Sequence, residues 1–218
     1  MTTDNVGSME DPATKKLTEH ILKGDGERAA LSAREISIQE SDANNVVDAI
    51  SDAMNIVADL HEVERYTSEQ VGNCEKAAEK ALAAVRPKIR VEQSKISGRV
   101  MVTSLAGDPH SFDKTLLLTM LEIGGFTALD GGTDMSPGDV VDRARELKPD
   151  VIAVPIVTQM AAKKLLEATS LMGADKKKPH VVAYGRGATE LPPQPGLGAV
   201  EEDSLSVLSR IAELLMAK

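Results

Sequence analysis

Val100-Met101-Val102-Thr103-Ser104-Leu105, continued by Gly107-Asp108-Pro109-His110-Ser111-Phe112-Asp113-Lys114, is the stretch that decides the fold. Its first six residues form a short apolar run, as in a strand buried on both faces. The next eight mix Gly, Pro, Asp and Ser and read as a loop. Residues 115–123 then carry the spacing of a helix. The same alternation continues downstream. Strands are predicted over 126–129, 151–157, 181–184 and 198–200, and helices over 138–147, 159–172 and 204–216. Strand and helix alternating through short loops predict an α/β domain with a doubly wound parallel sheet. Five such strands commonly take the flavodoxin-like order, with ligands bound at the carboxyl ends of the strands.

Upstream of this stretch the pattern is helical. Leu17, Ile21 and Leu22 share a face, Gly24-Asp25-Gly26 interrupts it, and Asp25 is placed to cap the next helix. Val46, Val47, Ile50, Met54, Val57 and Leu60 form one apolar stripe of a third helix that starts at Asp42 or Asn44. A fourth starts near Ser68 and carries Ala77, Ala78, Ala81 and Val85 before Pro87 ends it. The expected organisation is a flexible leader over 1–12, a four-helix bundle over 13–87, a linker over 88–98 and the sheet domain over 99–218.

Composition narrows the function. Only 2% of the 218 residues are aromatic against 42% hydrophobic, so the core is built from small and aliphatic side chains. The net charge of −9 and the lack of any dense basic run beyond Lys176, Lys177 and Lys178 argue against nucleic acid as a partner. No run is long enough to span a bilayer, and residues 1–16 lack the apolar core of a signal peptide. Cys74 is the single cysteine, which rules out an internal disulfide and fits a reducing cytoplasm. It is expected to pack as a small apolar residue.

The chemistry lies in the first loop. Asp108 and His110 sit two residues apart at the end of the first strand. A carboxylate beside an imidazole fixes its tautomer and strengthens it as a metal ligand. One histidine suits a single axial position on a metal already held by a macrocycle, whereas a free zinc ion wants three or four protein ligands.

Asp108-x-His110 resembles the Asp-x-His-x-x-Gly signature of cobalamin-binding domains. Gly124-Gly125-Phe126-Thr127-Ala128-Leu129-Asp130 with Gly132-x-Asp134-Met135 looks like that family's second strand and turn. Glu146-x-Lys148-Pro149-Asp150-Val151-Ile152 looks like its approach to the third strand, and Gly185-Arg186-Gly187 stands where a Gly-Gly pair follows the fourth. Leu22-Lys23-Gly24-Asp25 resembles the opening of the family's helical cap, and 54–78 resembles the cap's later helices. A cap followed by such a domain is the layout of the corrinoid proteins of methyltransferase systems and of the corrinoid modules of methionine synthase.

The resemblance implies cobalamin as cofactor (as methylcobalamin and cob(I)alamin), with His110 as the lower ligand of cobalt and Asp108 hydrogen-bonded to it. Ser111, Phe112, Asp113, Gly132, Pro155, Val157, Gly185, Arg186 and Gly187 would line the cofactor. It further implies a methyl carrier in one-carbon metabolism rather than a complete catalyst. One partner methyltransferase would load it from a small methylated substrate, a second would unload it to tetrahydrofolate or a thiol, and a reductive activator would maintain it. The linker is the expected hinge of the cap.

The cap departs from the pattern at His61, which stands for an aromatic, and at Thr67-Ser68-Glu69, which stands for Phe-Leu-Pro, and the sheet domain departs at three places. Asp113 stands for the signature's Gly, Pro155 for a Ser that contacts the inserted nucleotide base, and Arg186 splits the Gly pair. Small residues line a nucleotide tunnel in this family, so these changes imply a narrower tunnel or a different corrinoid. Asp113 reads either as the N-cap of the helix at 115 or as the mark of a relative with weak cobalamin binding. Gly131, Gly132, Gly185 and Gly187 serve tight turns or a cofactor rim. Arg186 is either a surface residue or a partner for a corrin amide or phosphate. Lys114 is expected in solvent, His61 exposed or half-buried, and Met54, Val57 and Leu60 in the bundle core. Other readings are a cobalamin-responsive regulator, a small mutase subunit, or a flavodoxin-like fold that has lost the cofactor.

Overall fold

The computed structural model describes residues 12–38, 42–90, 98–173, 178–194, 196–201 and 204–216. The expected leader apart from Pro12, most of the expected linker, and Lys176 and Lys177 lie outside the described residues. The chain divides into two compact units, Met1–Ile89 and Arg90–Lys218.

The first unit contains helices α1 (Pro12–Leu22), α2 (Gly26–Ile36), α3 (Asp42–Glu62) and α4 (Ser68–Val85), then a 3-10 turn at Arg86–Lys88. Pro12 opens α1 rather than ending the leader, since its missing N–H costs nothing in a first turn. Asp25 caps α2 as expected, its carboxylate accepting from the Arg28 N–H at 3.1 Å. Thr67 and Gln70 cap α4 reciprocally. Leu17, Ile21, Ala29, Ala33, Ile50, Met54, Val57, Ala77 and Ala81 are fully buried or nearly so. Leu60 is only half-buried. Alanine at the contacts lets the helices pack closely. The Tyr66 hydroxyl (2.9 Å) and the Cys74 thiol (3.4 Å) both donate to the Leu22 carbonyl, which closes the last turn of α1. Burial raises the Cys74 thiol above its ordinary pKa. His61 is half-buried, with Nδ1 2.9 Å from the Tyr66 carbonyl.

The second unit runs β1 (Arg99–Val102), α5 (Phe112–Ile123), β2 (Thr127–Asp130), α6 (Pro137–Leu147), β3 (Val151–Pro155), α7 (Gln159–Met172), β4 (His180–Tyr184), β5 (Leu197–Glu201) and α8 (Ser204–Met216). The sheet is parallel, in the order β2-β1-β3-β4-β5. This is the flavodoxin-like order that the alternation predicted. Central β3 is buried at every position, as a strand with helices on both faces must be. Met101, Ile152, Val154, Val181 and Ala183 pack with Val140, Ala144, Ala161 and Leu165 on the α6–α7 side. Successive strand residues face opposite ways, so Val102, Pro155, Val182 and Tyr184 belong to the other side, where α5 and α8 lie.

Three local expectations are corrected. Helix α5 begins at Phe112, three residues earlier than its apolar spacing indicated, with Ser111 at the N-cap position. Asp113 is therefore a first-turn residue and not the cap. Strand β3 stops at Pro155, two residues early, and its last ladder bond runs from the Ile156 N–H to the Tyr184 carbonyl at 2.8 Å. Lys114 is buried, not solvated: its ammonium lies 2.8 Å from Asp130 Oδ1.

Candidate functional site

The carboxyl ends of β1, β3 and β4 carry three loops that bind one another. Asp108, in the loop after β1, reaches to the loop after β3. Its Oδ1 accepts from the Val157 N–H (3.3 Å), the Thr158 N–H (3.1 Å) and the Thr158 hydroxyl (3.1 Å). Thr158 also caps α7 through the Ala161 N–H at 3.2 Å. The loop after β4 is tied to the same place, since the Gly187 N–H donates to the Ile156 carbonyl at 2.9 Å. A Cβ on Gly185 would sit 3.1 Å from that carbonyl oxygen, and one on Gly187 would sit 3.0 Å from it. Glycine is required at Gly185 on a second count, its φ of +92°. The loop after β2 joins from the other side: the Ser104 N–H donates to the Gly132 carbonyl and the Met135 N–H to the Ser104 carbonyl, at 3.2 and 3.0 Å.

The predicted site residues thus separate into groups. Asp108, Val157, Gly185 and Gly187 come together on one hydrogen-bonded rim, with Pro155 buried just below it. Arg186 is exposed on that rim. Gly132 lies at the β2 end, where its N–H donates to Asp130 Oδ1 at 2.8 Å. Phe112 is fully buried. Ser111 and Asp113 are half-buried at the start of α5.

Asp108 hydrogen-bonds the loop after β3, not the imidazole two residues on. Both ring nitrogens of His110 are buried without a hydrogen-bond partner, and so is Asp108 Oδ2. His110 as a whole is only 7% exposed. Burial pushes the Asp108 carboxyl up to about 7, against the opposing pull of the Thr158 hydroxyl and the Thr158 and Val157 amides. Near neutral pH this group holds or releases a proton readily.

Four residues were missed at this edge. Thr158 was legible as a Thr directly before a helix. Lys114 and Asp130 form an ion pair whose other link is the Gly132 N–H. Burial raises Asp130, but Lys114 and that N–H outweigh it and hold the carboxyl below its ordinary range. Tyr184, 1% exposed, donates its hydroxyl to the Asp113 carbonyl at 2.9 Å. Its burial raises the phenol well above its usual pKa.

The chain is similar to known proteins over most of its length. Trimethylamine corrinoid protein 2 of Methanosarcina acetivorans is 26% identical over 170 residues, covering 74% of this chain and 78% of that protein. Monomethylamine corrinoid protein 1 of the same organism is 30% identical over 110 residues, about half of each chain. The solved structure of the Methanosarcina barkeri monomethylamine corrinoid protein shares the fold, with a TM-score of 0.70 at 18% identity over 91% of this chain and 96% of that one. No family model matches. The chain is thus similar in sequence to methylamine corrinoid proteins and shares the fold of one of them.

A corrinoid protein has to offer one axial donor and a backbone edge that the macrocycle can approach. His110 fits the first demand, because an imidazole buried with two unsatisfied nitrogens is costly unless a ligand completes it, about 1–3 kcal/mol for each lost partner. The glycine-lined rim fits the second. Among the described residues no group of three or more His, Cys, Asp or Glu could hold a metal ion by itself. No helix among the described residues is long and apolar enough to cross a membrane.

Proposed function

We propose that this protein is a corrinoid methyl carrier, with His110 as the lower axial ligand of cobalt in a bound cobalamin. The observation that carries the reading is the buried, unpartnered His110 ring in the loop after β1. Bound cobalamin would supply the reactive cobalt, and the protein supplies binding, orientation and electrostatics. His110 holds the axial position. Asp108 pins the loop carrying His110 to Thr158, so the ring starts from a defined place. The second carboxylate oxygen of Asp108 has no hydrogen-bond partner, and with its pKa raised to about 7 the carboxyl would hold or release a proton beside the histidine loop. Gly132, Val157, Gly185 and Gly187 give the backbone edge, and Arg186 offers a cation on it.

On this reading a methyltransferase specific for a small methylated substrate loads the carrier, and a second unloads it to tetrahydrofolate or a thiol. A reductive activator restores it after oxidation. The relatives named for trimethylamine and monomethylamine support methylated amines as the donor class. The helical unit resembles in sequence the cap of such carriers.

Reconstitution with hydroxocobalamin tests the reading. The wild type should stay red through desalting, and His110→Ala should lose colour or shift the visible spectrum. Paramagnetic resonance of the cob(II)alamin form should show coupling to an imidazole nitrogen that is lost when His110 is replaced. Loss of all corrinoid on desalting of the wild type would end the proposal.

A further inference from the structure

A corrinoid carries a nucleotide tail on its lower face, and a protein imidazole that takes the lower position displaces the tail's base. The base must then lie either inside the protein beneath the histidine loop or outside it. In this chain buried side chains stand on the sheet face beside the start of α5. Tyr184 and Pro155 are register partners on β4 and β3, and both are buried. They lie on the sheet face opposite the α6–α7 core, the face that α5 covers. Tyr184 crosses from the end of β4 to the first turn of α5, where its hydroxyl donates to the Asp113 carbonyl. Phe112, the first residue of that helix, is fully buried. A base entering here would have to break the Tyr184–Asp113 bond and move a ring that is 1% exposed.

We infer that the protein keeps the nucleotide tail outside the sheet unit, and that Tyr184 is the residue that closes the interior to it. The inference rests on the corrinoid reading above and adds a ligand class to it: corrinoids irrespective of their lower base, including those with no nucleotide tail. Selection is through the ring and the His110–cobalt bond, and the tail contributes little.

The test is equilibrium binding of the full-length apoprotein to hydroxocobalamin and to diaquocobinamide, which lacks the nucleotide, read by visible absorption. Cobinamide should bind at least as tightly, because hydroxocobalamin must break its own cobalt–base bond to accept His110 and gains no site for the displaced tail. Tyr184→Phe keeps the ring and removes only the hydroxyl, so it should keep the wild-type ratio of the two dissociation constants. Tyr184→Ala opens the interior and should favour cobalamin over cobinamide by at least about tenfold relative to the wild type. A wild-type preference for cobalamin, or a folded Tyr184→Ala variant with an unchanged ratio, overturns the inference. If Tyr184→Ala does not fold, the wild-type and Tyr184→Phe ratios decide. Failure of both corrinoids to bind would instead sink the carrier reading, and this inference with it.

Discussion

The Asp108 carboxylate and the Thr158 residue that caps α7 meet twice, through the Thr158 N–H and through its hydroxyl, both at 3.1 Å. They are fifty positions apart, and the contact locks the histidine loop to the loop after β3. The cost is a carboxylate that is largely removed from water, with one oxygen unpartnered.

That cost makes apoprotein stability pH-dependent in a definite direction. The Asp108 pKa rises on folding from 3.8 to about 7, so between those values the folded state holds a proton that the unfolded state has released. The contribution is fully present below the unfolded value and is lost as pH rises toward 7. The shift sets a ceiling of roughly 4 kcal/mol on the loss. Asp108→Asn keeps an acceptor for the three donors and removes the titration. Urea unfolding at pH 5 and pH 8 should therefore show the wild type losing stability relative to Asp108→Asn at the higher pH. A difference between the two proteins that stays constant with pH would contradict the assignment.

Thr158→Val keeps the shape and removes the hydroxyl. It deletes a helix cap and a hydrogen bond to Asp108 together, so a loss of about 1–3 kcal/mol is expected. The hydroxyl lowers the Asp108 pKa, so its removal should raise that pKa further and move the pH midpoint of the stability curve upward. Carbon-detected NMR titration of the Asp108 carboxyl separates this from a plain capping effect, which would leave the midpoint in place.

Gly185 and Gly187 should respond unequally to alanine. Both would bring a Cβ to within 3.1 Å of the Ile156 carbonyl oxygen, but only Gly185 has positive φ, +92° against −84°. Gly185→Ala adds backbone strain to the steric contact, about 1–3 kcal/mol beyond the cost of Gly187→Ala. Thermal unfolding midpoints measured side by side check the order, and equal losses would argue against it.

The alternation of apolar runs with helical segments was enough to read the sheet order, because parallel strands buried on both faces leave little choice of connection. The start of α5 was misread because the helical spacing was counted from Thr115, although buried Phe112 and Lys114 already lie on the helix. The end of β3 was misread because Ile156 and Val157 are as apolar as the strand, yet they form a loop buried under the β4 turn. Asp108 and His110 stood out as chemistry, whereas the partner of Asp108 did not, since Thr158 arrives from another strand end. Tyr184 was hidden for a related reason. A tyrosine at a strand end reads as ordinary β-sheet composition until its hydroxyl is seen on Asp113.

The ion pair of Lys114 and Asp130 makes the sharpest mutational test, because its two halves are unequally buried. The Lys114 side chain is 7% exposed and that of Asp130 is 59% exposed. Lys114→Met replaces a buried cation by an apolar chain of similar length, and leaves Asp130 hydrated and still accepting from the Gly132 N–H. The expected change in stability is within about 1 kcal/mol. Asp130→Ala leaves the buried ammonium without its anion and frees the Gly132 amide, so a loss of about 2–4 kcal/mol is expected. In Lys114→Met the Asp130 pKa should rise toward its ordinary value, since Lys114 helps to hold it down. The stability that the lowered pKa provides is present at neutral pH and lost as pH falls, so this variant should unfold less steeply in acid than the wild type. Urea midpoints at pH 7 and pH 4 for both variants settle the matter. A larger loss for Lys114→Met than for Asp130→Ala at neutral pH would mean that the methylene stem of Lys114, rather than its charge, holds α5 against β2.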